Sequence, residues 1–64
     1  MKYPDIKVEL VGRDGNAFAI LGAVQKALRK AGVGAEEVKQ YYEEATAGDY
    51  DNLLKVTTEW VEVY

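Results

Sequence analysis

The sequence predicts a small, mostly helical α+β domain: one N-terminal strand, then three helices, then a C-terminal segment that is either helix or strand. Apolar and charged residues alternate early in the chain, which is typical of a strand. Apolar residues then recur at helical spacing in three segments, and each segment follows a residue suited to capping a helix. At 64 residues the chain holds one domain, residues 1–64, with a single small core.

The strand is predicted at residues 6–11, where the alternation has the period of two of a half-buried strand. Pro4 precedes this run, at a place where its missing N–H does little harm. A lone strand leaves a row of unpaired backbone groups and therefore needs a neighbour. Two neighbours are open: the C-terminal residues 61–64, which also alternate, or the same strand of a second copy of the chain.

The helix boundaries are predicted from capping residues and glycines. Asn16 can accept a hydrogen bond from the first turn of the first helix, and Gly32 suits the left-handed residue that ends it. The second helix is expected between Gly34 and Gly48, and the third after Asp49. The apolar residues that share one face of each predicted strand or helix predict the core. Its members are Val8, Leu10, Phe18, Ile20, Leu21, Val24, Leu28, Val38, Tyr41, Leu53, Leu54, Thr57 and Trp60.

Composition narrows the means of stabilisation. A domain of this size buries only roughly 60% of the surface that its unfolded chain exposes. The chain has no cysteine and no histidine, so disulfides, thiolate zinc sites and the commonest general base are excluded. We expect no metal and no cofactor. Self-association and an unusually well-packed monomer are the two alternatives that remain.

The net charge of −3 is unevenly distributed. Residues 1–32 carry six basic and three acidic side chains, net +3, and residues 33–64 carry two basic and eight acidic ones, net −6. This asymmetry would orient two copies head to tail, or it is spread evenly over the folded surface. No apolar run approaches the ~20 residues of a membrane span, and no signal-peptide stretch is present. We expect a cytoplasmic protein without a membrane partner.

The turn that joins the strand to the first helix is one candidate site, because helix N-termini after strands often bind anions. Its candidate residues are Arg13, Asp14, Gly15 and Asn16. The turn lacks the glycine spacing and Lys-Ser/Thr pair of a P-loop, and it lacks G-x-G-x-x-G. Asp14 also places an anion where an anionic ligand would sit. The favoured alternative is structural, with Gly15 giving backbone freedom and Asn16 capping the helix.

Charged side chains offer two further candidates. Carboxylate catalysis needs two such groups that converge in a cleft, whereas the glutamates occur as adjacent pairs typical of solvated faces, so we expect no enzymatic activity. Lys26, Arg29 and Lys30 form a basic face at the end of the first helix. It would support weak, salt-sensitive binding of nucleic acid, or it simply compensates the helix dipole.

Aromatic residues are too numerous for one small core to bury all of them. Tyrosine and tryptophan are enriched in protein interfaces because they combine apolar area with a polar tip. The predicted interface residues are Tyr41, Tyr42, Tyr50, Trp60 and Tyr64. The alternative is that these side chains serve only the core.

Two stretches, residues 8–22 and 44–54, resemble segments of small hypothetical proteins from bacteria and phages. The shared pattern is L-x-G-x-D-G-N-A-F-x-I-L-G at residues 10–22. No activity is known for that group, so the resemblance implies no catalytic or binding residue. It implies a free-standing small protein.

These observations predict a non-catalytic protein-interaction module that self-associates. The alternative is a nucleic-acid-associated accessory protein that uses the weak basic face. Self-association is expected because the core is small, the strand lacks an assured neighbour and the aromatic residues are in surplus. No recognisable motif identifies any other partner.

Overall fold

The computed structural model describes residues 1–10 and 15–64, and it confirms the α+β class. Strand β1 is followed by three helices and a short strand β2. The elements are β1 (Tyr3–Val8), α1 (Ala17–Lys30), α2 (Ala35–Ala45), α3 (Tyr50–Trp60) and β2 (Val61–Val63). The C-terminal segment is therefore a strand, which follows α3 without a loop.

The two strands form a parallel sheet. The register pairs Tyr3 with Val61, Lys7 with Glu62 and Val8 with Val63. The pairing continues to the end of the chain, because the Tyr64 N–H donates to the Val8 carbonyl (3.1 Å) and the Leu10 N–H donates to the Tyr64 carbonyl (2.6 Å). The neighbour that β1 needs thus comes from the same chain.

The predicted strand bounds, residues 6–11, were wrong at both sides: the strand ends at Val8, with residues 9 and 10 outside it and residue 11 outside the described part of the chain. The strand begins at Tyr3, so Pro4 lies inside it instead of before it. The reason is an irregularity in the pairing between Tyr3 and Lys7. A proline is tolerated in a strand where the ladder is interrupted, because no N–H has to be donated there.

The predicted caps are confirmed. The Phe18 N–H donates to the Asn16 side chain at 2.8 Å, and the Asn52 N–H donates to the Asp49 side chain at 3.0 Å. Gly34 caps α2 without a side-chain bond, and Gly32 adopts a φ of +87°, as expected for a helix that ends in a left-handed residue.

Helix α2 ends earlier than its predicted stop at Gly48. Its last residue is Ala45, and the next residue, Thr46, donates its hydroxyl to the Tyr42 carbonyl at 2.7 Å. Gly48 has another structural reason: a Cβ added there would lie 2.9 Å from the Cβ of Asn52. The glycine therefore permits the close approach between the α2–α3 loop and the first turn of α3.

One core joins the three helices and the sheet. Its buried apolar residues are Val8, Ile20, Leu21, Val24, Leu28, Val38, Tyr41, Ala45, Leu53, Val56, Trp60 and Val61. Leu10 and Leu54 of the predicted core are only partly buried, and the assignment of Phe18 to it was wrong, because Phe18 is 76% exposed. At 100° per residue, Phe18 lies about 105° from the centre of the buried stripe of α1, which Ile20, Leu21, Val24 and Leu28 form.

Candidate interaction surface

The aromatic residues divide into a buried cluster and an exposed group. Trp60 is the centre of the buried cluster: its ring lies 5.7 Å from the ring of Tyr41, edge to face, and 6.0 Å from that of Tyr3. The Tyr41 hydroxyl is hydrogen-bonded to Thr57 at 2.8 Å. Tyr41 and Trp60 are almost fully buried, so the prediction that they belong to an interface is corrected. Their side chains fasten α2 to α3.

Polar residues close this cluster on its outer side. The Tyr3 hydroxyl donates to Glu37 at 2.6 Å, and Lys2 lies 3.3 Å from Glu37 and 4.2 Å above the Trp60 ring. The hydrogen bond from Tyr3 and the ammonium of Lys2 hold the pKa of Glu37 below its usual value, and the same bond raises the pKa of Tyr3. These contacts attach β1 to α2.

Glu44 has a similar structural duty on the other side of Trp60. It accepts from the Gln40 amide at 2.9 Å and from the Trp60 indole N–H at 3.1 Å. These two hydrogen bonds, in that order of weight, lower the pKa of Glu44. Both glutamates with shifted pKa values are therefore paired within the cluster, where they serve the fold.

Four large aromatic side chains stay exposed. They are Phe18 (76%), Tyr64 (57%), Tyr50 (42%) and Tyr42 (41%). Three of these belong to the predicted interface set, and Phe18 was missed because it was assigned to the core. Its position on the polar side of the α1 wheel was the available signal.

Phe18 separates two depressions. One, of about 230 Å³, lies toward α3, and its apolar lining includes Leu21, Ala45, Tyr50 and Leu53. The other, of about 540 Å³, runs between α1 and β1. Phe18 lines both of them, so the most exposed aromatic side chain of the described residues projects between two hollows.

One side of α1, here called the outer face, consists of exposed residues along the length of the helix. It consists of Phe18, Ala19, Gly22, Lys26 and Arg29, all of them exposed. Gly22 lies at its middle, and a Cβ added there would meet no described atom within 4 Å. Sequence reasoning overlooked Gly22, although a glycine inside a helical pattern is unfavourable enough to require a reason.

The predicted turn site is only partly within the described residues. Arg13 and Asp14 lie outside them. The Gly15 carbonyl accepts from the Tyr50 hydroxyl at 2.7 Å, and the Asn16 side chain caps α1. An anion at this helix end would compete with Asn16 for the Phe18 N–H, so these two contacts favour the structural interpretation of the turn.

The predicted basic face is exposed on α1, in its last turns. Lys26 and Lys30 line the depression beside β1 together with Lys7, whose contribution the sequence did not suggest. Arg29 instead lines a separate depression, of about 260 Å³, with Lys39 and Tyr42. The structure therefore distributes the basic residues over two sides of the outer face.

Within residues 1–10 and 15–64, no three carboxylates come together as a metal-binding group. No helix of this described part is long and apolar enough to cross a membrane.

Comparison with protein-family models, with curated proteins and with solved structures gives no significant match to the chain. The resemblance to small hypothetical proteins stays a prediction.

Proposed function

We propose that this chain is a non-catalytic protein-interaction domain that self-associates through the outer face of α1. The observation that carries the proposal is the 76% exposure of Phe18 between two depressions. Burying such a side chain contributes about 1.5–3 kcal/mol, a large amount for a domain with a core this small. A projecting side chain beside a hollow of matching character is what two copies need in order to bury each other's surface.

The character of the hollow toward α3 supports a protein partner over a small molecule at that place. Pockets for small molecules usually enclose about 300–1,000 Å³ and contain a few convergent polar groups. The depression toward α3, about 230 Å³, is smaller than that and mainly apolar. Of the polar side chains that the structure describes, Thr57 is the one that is buried, and it bonds to Tyr41 and lines neither hollow.

The distribution of charge supports a second copy as that partner. Asp49 lines the hollow beside Phe18 at one end of α1, while Arg29 and Lys30 lie at the other end. Two copies in opposite directions would therefore bring a basic end against an acidic end. Complementary charges of this kind fix orientation and accelerate association more than they add affinity.

Sedimentation equilibrium across the micromolar range tests the proposal. The wild-type chain should reach twice the mass of one chain as concentration rises. Phe18→Ser should raise the dissociation constant by about 30-fold or more, as the loss of an interface hot spot does. Tyr64→Ser is the matched control, because Tyr64 is 57% exposed at the end of the sheet. A monomer at every concentration would contradict the proposal.

Binding of nucleic acid is a second candidate function, favoured by Lys7, Lys26 and Lys30, which line one depression that Glu9 also borders. Three phosphate contacts would give a salt dependence with a log–log slope of about −2 to −3. Fluorescence anisotropy with single- and double-stranded oligonucleotides at low salt measures this slope. Replacing Lys26 and Lys30 by Gln should abolish the binding, and Lys55→Gln should not. No anisotropy change at low salt would exclude this function.

A further inference from the structure

We infer that two copies of the chain pair through α1, with the helices antiparallel, related by a two-fold axis and in closest contact at Gly22. This inference rests on the proposed self-association and adds its geometry. It has three supports: the glycine, the row of residues around it, and the charges at the two ends of α1.

Gly22 is costly for the isolated chain. A glycine inside a helix destabilises it relative to alanine, because the glycine backbone loses more conformational freedom on folding. No steric reason within the described chain compensates this cost, since an added Cβ would have open space around it. Gly22 is also exposed, so it fills no position in the core. A partner helix that approaches the α1 backbone closely would explain Gly22, because a glycine has no side chain to fill the space between the two helices.

The residues one turn away on either side complement each other. Phe18 precedes Gly22 by four residues and Lys26 follows it by four, so the three form one row along the outer face. Such rows interdigitate when two helices cross, most commonly at about −50°. A two-fold axis at Gly22 brings Phe18 of each copy opposite Lys26 of the other. An ammonium over an aromatic face is an attractive contact. The two-fold axis produces two equivalent contacts of this kind.

The charges at the two ends of α1 also favour the antiparallel orientation. Arg29 and Lys30 lie in the last turn of α1, whereas Asp49 borders the hollow beside Phe18, and Asp51 follows in the first turn of α3. In the antiparallel pair, the basic end of each α1 lies over the acidic end of the partner. A parallel pair would place like charges together, which is unfavourable. The pair should therefore weaken as salt rises.

Substitution of Gly22 separates this interface from the stability of the monomer. Gly22→Ala should raise the melting temperature of the dilute monomer by about 4–8 °C, because alanine favours the helix. The same change should raise the dissociation constant at least tenfold, because a methyl group blocks the helix contact. Gly22→Gln should abolish association and leave the circular dichroism of the monomer helical. Sedimentation and thermal unfolding on the same samples supply both readouts.

An exchange of residues tests the antiparallel register. Phe18→Lys alone sets like charges against each other across the axis and should abolish association. Adding Lys26→Phe restores an ammonium opposite a ring at both contacts and should recover association to within about tenfold of wild type. Failure of this rescue in a folded double variant would overturn the register.

The outcomes distinguish this inference from the proposed function. If wild type stays monomeric, self-association and the α1 pair both fail. If wild type associates and Gly22→Gln associates equally well, the α1 pair is overturned and self-association through another surface stands. Loss of association in Gly22→Gln, together with a more stable monomer in Gly22→Ala, supports the pair. If Gly22 had only a structural role, its replacement would lower the stability of the monomer and weaken association together.

Discussion

Tyr41 shows how one residue stabilises this small domain. Its ring packs on the edge of Trp60, and its hydroxyl shares a hydrogen bond of 2.8 Å with Thr57. Burial raises the pKa of Tyr41 above its ordinary value of 10.0, and the bond to Thr57 only partly opposes this. The folded state therefore binds the phenolic proton more tightly than the unfolded state does.

Alkaline unfolding follows from that raised pKa. The contribution of Tyr41 to stability is complete below about pH 10, the unfolded value, and is lost as pH rises through the higher folded pKa. Tyr41→Phe removes this proton, so its stability should fall less steeply above pH 10 than that of wild type. The variant should lose about 1 kcal/mol at neutral pH through the lost hydrogen bond.

Urea unfolding at a series of pH values measures both effects. Tyr42→Phe is the control, since Tyr42 is exposed and adjacent in the chain. An alkaline limb that is the same in Tyr41→Phe and in wild type would contradict the role given to Tyr41.

Acid sensitivity is expected from Glu37 and Glu44. The pKa of each is lowered in the folded state, chiefly by hydrogen bonds from Tyr3 to Glu37 and from Gln40 to Glu44. Their stabilising contributions are therefore present above the unfolded pKa of about 4.5 and disappear as pH falls through the lower folded values. Glu37→Gln should unfold with a shallower acid dependence, measured by circular dichroism. Glu43→Gln, on the exposed side of α2, should retain the wild-type dependence.

At the scale of elements, β2 is the short segment on which the sheet depends. Val61 is fully buried, directly after the end of α3. Val61→Ala should destabilise the domain by roughly 1–3 kcal/mol, because it removes buried methyl groups and leaves a cavity. Glu62→Ala, on the exposed position next along β2, should change stability by less than about 0.5 kcal/mol. Equal denaturation midpoints for the two variants would contradict the role of β2 in the core.

Local chemistry explains which elements the sequence could predict. Asn16 and Asp49 specify the starts of α1 and α3, because a capping side chain acts within its own turn. The start of β1 depends on pairing with β2, some sixty residues away in the chain, and on an irregularity around Pro4. That information is not local, so the alternation at residues 6–11 located the strand but neither its first residue nor its last.

The candidate site was less predictable than the fold. Aromatic residues suggested an interface, but composition alone could not separate Tyr41 and Trp60, which pack in the core, from the exposed Tyr42. Phe18 was assigned to the core by its hydrophobicity, although its helical position lies outside the buried stripe of α1. Gly22 became informative only when the space around it was known.

The whole molecule is expected to gain stability from association. A ligand that binds only the folded state raises the apparent stability with its concentration, and under the proposed self-association that ligand is a second copy. The melting temperature of wild type should therefore rise with protein concentration. That of Phe18→Ser should stay constant over the same range, and that of Tyr64→Ser should follow wild type. A melting temperature independent of concentration in all three would contradict association at these concentrations.

The most direct measurement is a dilution series followed by two-dimensional amide NMR. The α1 pair predicts concentration-dependent shifts at Ala19, Gly22 and Lys26, with Glu62 and Tyr64 unchanged. Shifts confined to β1 and β2 would move the interface to the sheet and contradict the pairing through α1. A spectrum that does not change on dilution, from a sample that sediments as a single chain, would contradict self-association itself.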